Sequence, residues 1–240
     1  MDIVIPVGPN PGEELRYCLR SVAAHLPHGR VWLVGEAPGW VEGVEHIPTA
    51  QSGNAWQNVK AAMRAVCEHP EVSDPFVLFN DDFYVMEPVA SVPVMHLGPL
   101  AEVPRGASPG HVRCLQSTRE FLVSHGVTEP LSYEVHAPMV VVKAGMWATL
   151  DLIGPNHLIR ERSVYGNLGR LGGVRVDDVK VRGRDDRIPV GPFLSTSDRA
   201  FGLFQVGRHV RASFPAACRY ELPSGPAPTP GPGGRVVVTA

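Results

Sequence analysis

Short, continuous apolar runs alternate with stretches of helical spacing along the first third of the chain. The apolar runs at residues 2–7, 30–34 and 76–79 predict strands that are buried on both faces, because such strands read as nearly unbroken apolar segments. Between these runs, apolar residues that recur every three or four positions predict helices over residues 13–26 and 54–68. This order predicts a single-domain α/β fold with a Rossmann-like, mostly parallel sheet flanked by helices.

The rest of the chain is less regular. Apolar patterns predict four further helices, over residues 112–124, 144–152, 162–171 and 199–206. They also predict one further strand, over residues 140–142. Residues 175–187 alternate basic and acidic side chains, which predicts a solvated hairpin or a mobile loop. Proline and glycine dominate residues 223–240, so we predict one domain over residues 1–222 followed by a disordered tail.

Polar residues follow two of the predicted strands. In parallel α/β sheets ligands bind beyond the carboxyl ends of the strands. The first strand ends at Val7 and is followed by Gly8, whereas the strand at 76–79 runs directly into Asn80-Asp81-Asp82. The loops that follow these strands are therefore the first place to look for a binding site.

The adjacent carboxylates of Asp81 and Asp82 are the strongest chemical signal in the chain. Two carboxylates at the end of a buried strand repel each other and lose hydration, so they need solvent, a cation or a basic partner. Mg²⁺ and Mn²⁺ prefer carboxylate oxygens, commonly use only one or two of them, and complete their shell with phosphate oxygens and water. The pair therefore predicts a metal site that binds a nucleotide diphosphate. The alternative is a polar turn between two strands.

Three candidates lie in the second half of the chain. His136 stands just before an apolar run and could act as a base or bind phosphate or metal; the alternative is a structural histidine. Arg160 and Arg162 lie near a predicted helix start and could bind a diphosphate through bidentate contacts; the alternative is solvation of the surface.

Two other candidate sets lie at predicted helix starts. The ring of Trp56 could stack on a base and the amide of Asn58 could hydrogen-bond a sugar, although Trp56 also suits an ordinary core. Residues 195–198, which end in Asp198, precede a predicted helix, and a serine or aspartate at that position is by default an N-cap.

Composition narrows the classes of function. The formal net charge of −2 gives no global attraction for nucleic acid or anionic membrane, and neither a membrane span nor a signal peptide is indicated, so we expect a soluble, cytoplasmic protein. The four cysteines are scattered without a CxxC pair, which argues against a zinc site or a disulfide framework. Neither GxGxxG nor a P-loop occurs, which argues against dinucleotide oxidoreductases and P-loop kinases.

Several segments together resemble the conserved regions of Stealth-type sugar-phosphate transferases and of small glycosyltransferases encoded by bacteriophages. The resemblance rests on ELRYCLRSV at 14–22, VWLVG at 31–35 with PGW at 38–40, and residues 76–83 with their Asn-Asp-Asp sequence. The later segments 134–138, 160–167 and 195–198 follow in the order in which those families place their His, Arg and Asp motifs. The resemblance spans about the first two hundred residues, and LRYxLRS and NDD are its specific parts.

This resemblance implies a GT-A-like fold and a set of roles. Asp81 and Asp82 would hold a divalent metal and the donor diphosphate, with Asn80 beside them. His136, Asp82 and Asp198 would lie at the reacting centre. Val7 and Gly8 would face the nucleotide. Trp56 and Asn58 would also contact the donor, and Arg160 or Arg162 would neutralise its phosphate. The chain is shorter than typical Stealth proteins and lacks the lysine expected near Trp56, which favours glycosyl transfer over sugar-1-phosphate transfer.

The sequence therefore predicts a metal-dependent glycosyltransferase that uses a nucleotide-sugar donor, of which a UDP-sugar is the expected one. The acceptor would be a glycan, a virion protein or a hydroxymethylated base of phage DNA, in the cytoplasm of a bacterium or of a phage-infected host. Two alternatives remain: a Stealth-like sugar-1-phosphate transferase, and a non-catalytic protein that binds a nucleotide sugar or a glycan.

Overall fold

A computed structural model of the protein describes residues 1–51, 54–102 and 107–223. The strands of this described part are β1 Asp2–Val7, β2 Val31–Gly35, β3 Glu45–Ile47, β4 Phe76–Leu78, β5 Phe83–Val85, β6 Met95–His96, β7 Met139–Val141, β8 Val174–Arg175, β9 Lys180–Val181 and β10 Phe193–Thr196. The helices are α1 Glu14–His25, α2 Ala55–Glu68, α3 Pro109–Ser124, α4 Lys143–Ile153, α5 Glu161–Leu168, α6 Asp198–Leu203 and α7 Gln205–Ser213.

The main sheet has five strands in the order β3-β2-β1-β4-β7. The first four are parallel, and β7 joins the edge of β4 in the antiparallel direction. The protein is thus a single-domain α/β fold with a mostly parallel sheet flanked by helices, as the apolar pattern predicted.

Helices cover the main sheet on both faces. On one face, Leu15, Leu19 and Val22 of α1 pack with Ile3 and Ile5 of β1 in a fully buried cluster. On the other face, the cluster contains Val4 of β1, Trp32 and Val34 of β2 and the α2 residues Ala62, Met63 and Val66. Both faces of β1 are therefore dry, which explains its unbroken apolar sequence. Each fully buried large apolar side chain contributes about 1.5–3 kcal/mol to stability.

Local sequence chemistry sets the starts of the helices near the carboxyl edge of the sheet. Asn54 caps α2 in a capping box with Gln57: its side chain accepts from the Gln57 backbone N–H at 3.1 Å, and the Gln57 side chain accepts from the Asn54 backbone. Ser108 and Ser197 cap α3 and α6 in a simpler way: the side chain of each accepts a hydrogen bond from a backbone N–H in the first turn of its helix. The predicted N-cap before Asp198 is thereby confirmed for Ser197, and Asp198 is the first residue of α6.

A second, three-stranded sheet in the order β5-β10-β9 corrects one prediction. Residues 175–187 were predicted to form a solvated hairpin or mobile loop, but they contain β9, which pairs in parallel with β10. The prediction was wrong because β10, the partner of β9, also pairs with the distant β5, and because Val181, almost fully buried, anchors the segment in a third apolar cluster. This strand places Asp178, Lys180 and Arg182 beside the carboxyl edge of the main sheet.

The chain near residue 221 is tied to α1. Glu221 is 5% exposed and forms ion pairs with Arg16 and Arg20. In the second pair, Glu221 Oε1 lies 2.6 Å from Arg20 Nε. Arg16 also stacks on Trp40. The two arginines of the LRYxLRS segment therefore stabilise the fold. The predicted tail at 223–240 lies outside the described residues from position 224 onward. Within the described ranges, no helix has the length and apolar character needed to span a membrane.

Candidate active site

Three adjoining cavities lie at the carboxyl edge of the main sheet. The central cavity, about 420 Å³, lies between the ends of β1, β2 and β4 and the first turns of α2. The acidic cavity, about 270 Å³, shares Gly8, Pro9 and Asp81 with it. The basic cavity, about 650 Å³, shares Pro6, Val59 and Asn80 with it. The three spaces therefore form one cleft whose ends differ in charge.

The central cavity has apolar walls and an amide rim. Its lining consists mainly of Pro6, Val7, Val34, Val59 and Ala62, with the amides of Gln51, Asn58 and Asn80 and the carboxyl of Asp81 as polar groups. Gly35 closes β2 at φ +115°, where a Cβ atom would lie 2.2 Å from the carbonyl oxygen of Val7. Only glycine lets the ends of β1 and β2 approach this closely. An apolar slot with a few amide groups suits a planar base and its ribose.

Four carboxylates define the acidic cavity: Glu14, Asp81, Asp82 and Asp198. Asp81 and Asp82 are placed by the end of β4, Glu14 by the first residue of α1 and Asp198 by the first residue of α6. Burial raises the pKa of Asp81 to about 7, and the negative charges of Asp82, Glu14 and Asp198 add to that effect. Burial also raises the pKa of Glu14, helped by Asp198 and Asp82. The cavity thus holds more negative charge than its surroundings neutralise.

The two oxygens of Asp82 have different partners. Lys180 Nζ donates to Oδ2 at 2.6 Å, and Ser195 Oγ donates to the same oxygen at 3.3 Å. Oδ1 is buried and has no hydrogen-bond partner among the described residues. Lys180 therefore fixes the orientation of this carboxylate and neutralises one charge, while the other oxygen stays unsatisfied.

This acidic end fits a divalent cation. A buried carboxylate oxygen without a partner and a neighbouring carboxyl of raised pKa are the features that a hard cation would satisfy. Among the described residues, no three His, Cys, Asp or Glu side chains are already grouped as metal ligands. A cation here would take one or two carboxylate oxygens from Asp81 and Asp82 and complete its shell with water or phosphate oxygens, as Mg²⁺ commonly does.

Arginines and histidines line the basic cavity. They are His111 and Arg113 from α3, His136 before β7, Arg160 and Arg162 at the start of α5, and Arg182 after β9, with His157 nearby. The Arg160 guanidinium carbon lies 3.5 Å from the ring centroid of Trp56, so the two predicted donor contacts stack on each other. The predicted residues Trp56, His136, Arg160 and Arg162 are thus brought together here. Asp81, Asp82 and Asp198 line the other end of the cleft.

His136 forms a pair with an aspartate that the sequence analysis missed. Asp178 accepts from His136 Nδ1 at 2.9 Å and from the His136 backbone N–H at 3.2 Å, and Arg182 donates to Asp178 Oδ2 at 3.2 Å. Burial alone would raise the pKa of Asp178, but the hydrogen bonds and charge of His136 and the charge of Arg182 hold it at about 2. With its Nδ1 bound to Asp178, His136 turns Nε2 toward the cavity, where it accepts a 3.5 Å hydrogen bond from Arg182 Nη2.

The residues missed from the sequence had different signals. Glu14 begins the ELRYCLRSV segment, just after the loop that follows β1. Because the loops after parallel strands meet at one edge of the sheet, its place near the acidic pair could have been inferred. Asp178, Lys180 and Arg182 belong to the alternating charged segment, whose pattern is also that of a solvated surface. Only the pairing of β9 with β10 brings them to Asp82 and His136.

Comparisons with known proteins give distant similarity only. No protein-family model matches the chain. No curated protein matches it either. Two solved structures of the glycosyltransferase GlyE of Streptococcus pneumoniae TIGR4 are similar to it. The apo form has 9% identity and a TM-score of 0.39 over 74% of this chain and 45% of that chain. The second structure has 11% identity and a TM-score of 0.36, and the match covers 89% of this chain and 49% of that chain. The chain thus spans less than half the length of either structure.

Proposed function

We propose that the chain is a metal-dependent glycosyltransferase that moves a sugar from a nucleotide-diphosphate sugar to an acceptor hydroxyl. The observation that carries this proposal is the position of Asp81 and Asp82 after the carboxyl end of β4: Asp81 lines both the central and the acidic cavity, Asp82 lines the acidic one, and Asp82 Oδ1 is buried without a partner among the described residues. An apolar slot beside two carboxylates matches the two chemical halves of a nucleotide diphosphate with its cation.

The central cavity would hold the nucleoside. Val7, Val34 and Val59 supply apolar contacts for the base, and Gln51 and Asn58 lie where amide groups can reach a ribose or base edge. Gly8, at the border with the acidic cavity, lets the backbone pass close to the diphosphate because it carries no side chain. The nucleoside and the diphosphate would therefore lie along the edge formed by β1 and β4.

Asp81 and Asp82 would hold the cation at the diphosphate. A divalent ion bound there would supply neutralisation of the charge on the leaving nucleoside diphosphate. Lys180 keeps the Asp82 carboxylate in one orientation through its 2.6 Å ion pair. Asp198 and Glu14 add negative charge at the same cavity and thereby favour occupation of the site by a cation.

His136 is the candidate general base for the acceptor hydroxyl. Asp178 holds the Nδ1 side of the ring at 2.9 Å, which fixes the ring and assigns the proton to Nδ1. The lone pair of Nε2 accepts from Arg182 at 3.5 Å in this structure and would accept the acceptor's proton once the acceptor hydroxyl replaces Arg182 there. The deprotonated hydroxyl oxygen then attacks the anomeric carbon. Asp178 acts through His136 and is a positioning residue.

The experiment is a product-resolved assay across nucleotide sugars, with and without Mn²⁺, that separates nucleoside diphosphate from nucleoside monophosphate. We expect release of the diphosphate, and no release in EDTA. Full turnover in EDTA would overturn the metal role. Release of UMP or CMP would place the attack at phosphorus and assign the protein as a sugar-1-phosphate transferase. Tight donor binding without turnover on any acceptor would make it a binding protein.

A further inference from the structure

Two buried guanidinium nitrogens in the basic cavity have no hydrogen-bond partner among the described residues: Arg160 Nη1 and Arg162 Nε. Arg160 is only 5% exposed, and Arg162 is held by a 2.7 Å hydrogen bond from Nη2 to the Ala137 carbonyl oxygen. Trp56 stacks on Arg160 and fixes the plane of its guanidinium group. Buried charged donors are normally satisfied, so these two atoms indicate a missing acceptor.

The surroundings of these donors favour an anion. Arg113 and Arg182 extend the positive lining to the rim of the cavity. The same lining includes Ser108 and Gly110, which lie at the start of the sixteen-residue helix α3, where backbone N–H groups and the helix dipole attract negative charge. Donors from α3, α5 and the segment after β9 thus converge on one space.

Three carboxylates, Glu134, Glu161 and Asp178, lie close to this cluster and reduce its charge only in part. Glu134 accepts hydrogen bonds from the Ser163 backbone N–H at 3.0 Å and from its hydroxyl at 2.8 Å. Asp178 is held by His136 and Arg182. Burial, followed by the charge of Glu134, raises the pKa of Glu161 and so favours its neutral form. In the described ranges Arg160 Nη1 and Arg162 Nε have no acceptor even beside these groups, and Glu161 Oε2 is likewise buried without a partner.

The basic cavity shares no lining residue with the acidic cavity. If the metal and the donor diphosphate lie at Asp81 and Asp82, the arginines at the opposite end face a different part of the reaction. His136, the candidate base for the acceptor hydroxyl, belongs to this same end. The anion that fills the basic cavity would therefore be attached to the acceptor.

We propose that the basic cavity is a metal-independent phosphate site, built around Arg160 and Arg162, that binds a phosphate group carried by the acceptor. This assignment rests on the proposed glycosyltransferase function. It names the acceptor's chemical class: a hydroxyl compound with a phosphate group near the hydroxyl that is glycosylated. It also separates Arg160 and Arg162 from the donor diphosphate, to which the sequence analysis had assigned them.

The test is isothermal titration of the full chain with inorganic phosphate in EDTA, followed by the same titration in saturating UDP and Mn²⁺. The variants are Arg160→Gln and, because a buried change can impair folding, the exposed Arg113→Gln; far-ultraviolet circular dichroism checks each fold. Arg208→Gln, an exposed arginine on α7 outside the cleft, is the matched control.

We expect one phosphate per wild-type chain, whether or not UDP and Mn²⁺ are present. Arg160→Gln should weaken this binding by about tenfold or more, since it removes charge-assisted hydrogen bonds, Arg113→Gln should weaken it by several-fold, and Arg208→Gln should leave it unchanged. No saturable binding, or equal weakening in Arg208→Gln, would overturn the site. Displacement of phosphate by UDP and Mn²⁺ would return the arginines to the donor diphosphate and overturn the acceptor assignment.

Titration of UDP itself, with and without Mn²⁺, separates failure of this inference from failure of the proposed function. Metal-dependent UDP binding without phosphate binding would leave the glycosyltransferase proposal standing and reject the phosphate site. Phosphate binding without any UDP binding would remove the donor site and, with it, the acceptor assignment.

Discussion

The two ends of the cleft carry opposite charge and differ in how their charged side chains are paired. The acidic end concentrates Glu14, Asp81, Asp82 and Asp198, and within the described part of the chain Asp82 is the one of these that forms an ion pair, with Lys180. The basic end contains arginines and two carboxylates, of which Glu134 is hydrogen-bonded to Ser163, whereas Glu161 Oε2 is buried without a partner among the described residues. The first arrangement calls for an added cation, whereas the second is a largely preformed cradle in which two donors lack an acceptor among the described residues. As proposed, one cleft would hold two anionic groups by different means, one through a metal and one through fixed side chains.

Substitution at the acidic end should have the largest effect on activity. Asp81→Asn and Asp82→Asn should each lower kcat/KM by roughly 1,000-fold, because the cation would lose a ligand that supplies several kcal/mol of charge stabilisation. Steady-state kinetics at saturating Mn²⁺ measures this loss. Asp185→Asn, at an exposed position, is the matched control and should retain wild-type turnover. Near-normal activity in Asp82→Asn would remove Asp82 from the metal site.

Substitution at the basic end should act on turnover more than on donor binding. His136→Ala should lower kcat by about 100-fold or more through loss of general base catalysis, with the donor KM little changed. Asp178→Asn should lower kcat less and shift the pH–rate profile, because the ring remains but loses its fixed partner. His209→Ala, exposed on α7, serves as the control. An unchanged rate in His136→Ala would make His136 a structural residue.

The two ends should also respond in opposite directions to pH in the metal-free protein. Asp81 has a folded-state pKa of about 7 against an ordinary value of 3.8, so its contribution makes the fold less stable as pH rises from about 4 to 7. Asp178 has a folded-state pKa of about 2, so the stability it contributes is lost as pH falls from about 4 to 2.

Chemical denaturation in EDTA across this pH range measures both effects. Asp81→Asn should reduce the loss between pH 4 and 7, where one proton changes the free energy of unfolding by at most about 1.4 kcal/mol per pH unit. Asp178→Asn should reduce only the loss below pH 4. If the stability of Asp81→Asn depends on pH as that of the wild type does, Asp81 is not the group whose ionisation the fold opposes.

The smallest effect on turnover is expected away from the cleft. Glu221→Gln should lower the free energy of unfolding by about 1–3 kcal/mol, because Glu221 is the buried partner of Arg16 and Arg20. It should leave kcat per folded molecule unchanged. Urea denaturation combined with the same kinetic assay checks both statements. A large fall in kcat at full stability would instead connect this ion pair to the active site.

Much of the fold could be read from the sequence because the signals were local. The unbroken apolar runs located β1, β2 and β4, and helical spacing located α1 and α2 to within a residue or two. The same reasoning placed Asp81 and Asp82 at a strand end, since a strand that runs straight into charged residues must end at the solvent edge of a sheet. Strand β3 was missed because its three residues, Glu45–Ile47, carry no continuous apolar run.

The sequence by itself determined the α/β class, the main parallel strands and the presence of an acidic pair at the edge of the sheet. Only the tertiary structure decided what surrounds that pair. Lys180 meets Asp82, and Asp178 meets His136, because β9 pairs with β10 and β10 in turn pairs with β5, which lies far away in the sequence. Hydrophobic periodicity is a property of neighbouring residues, whereas the balance of charge in a cleft depends on groups that meet only after the chain has folded. The composition of each end of the cleft was therefore set by long-range packing.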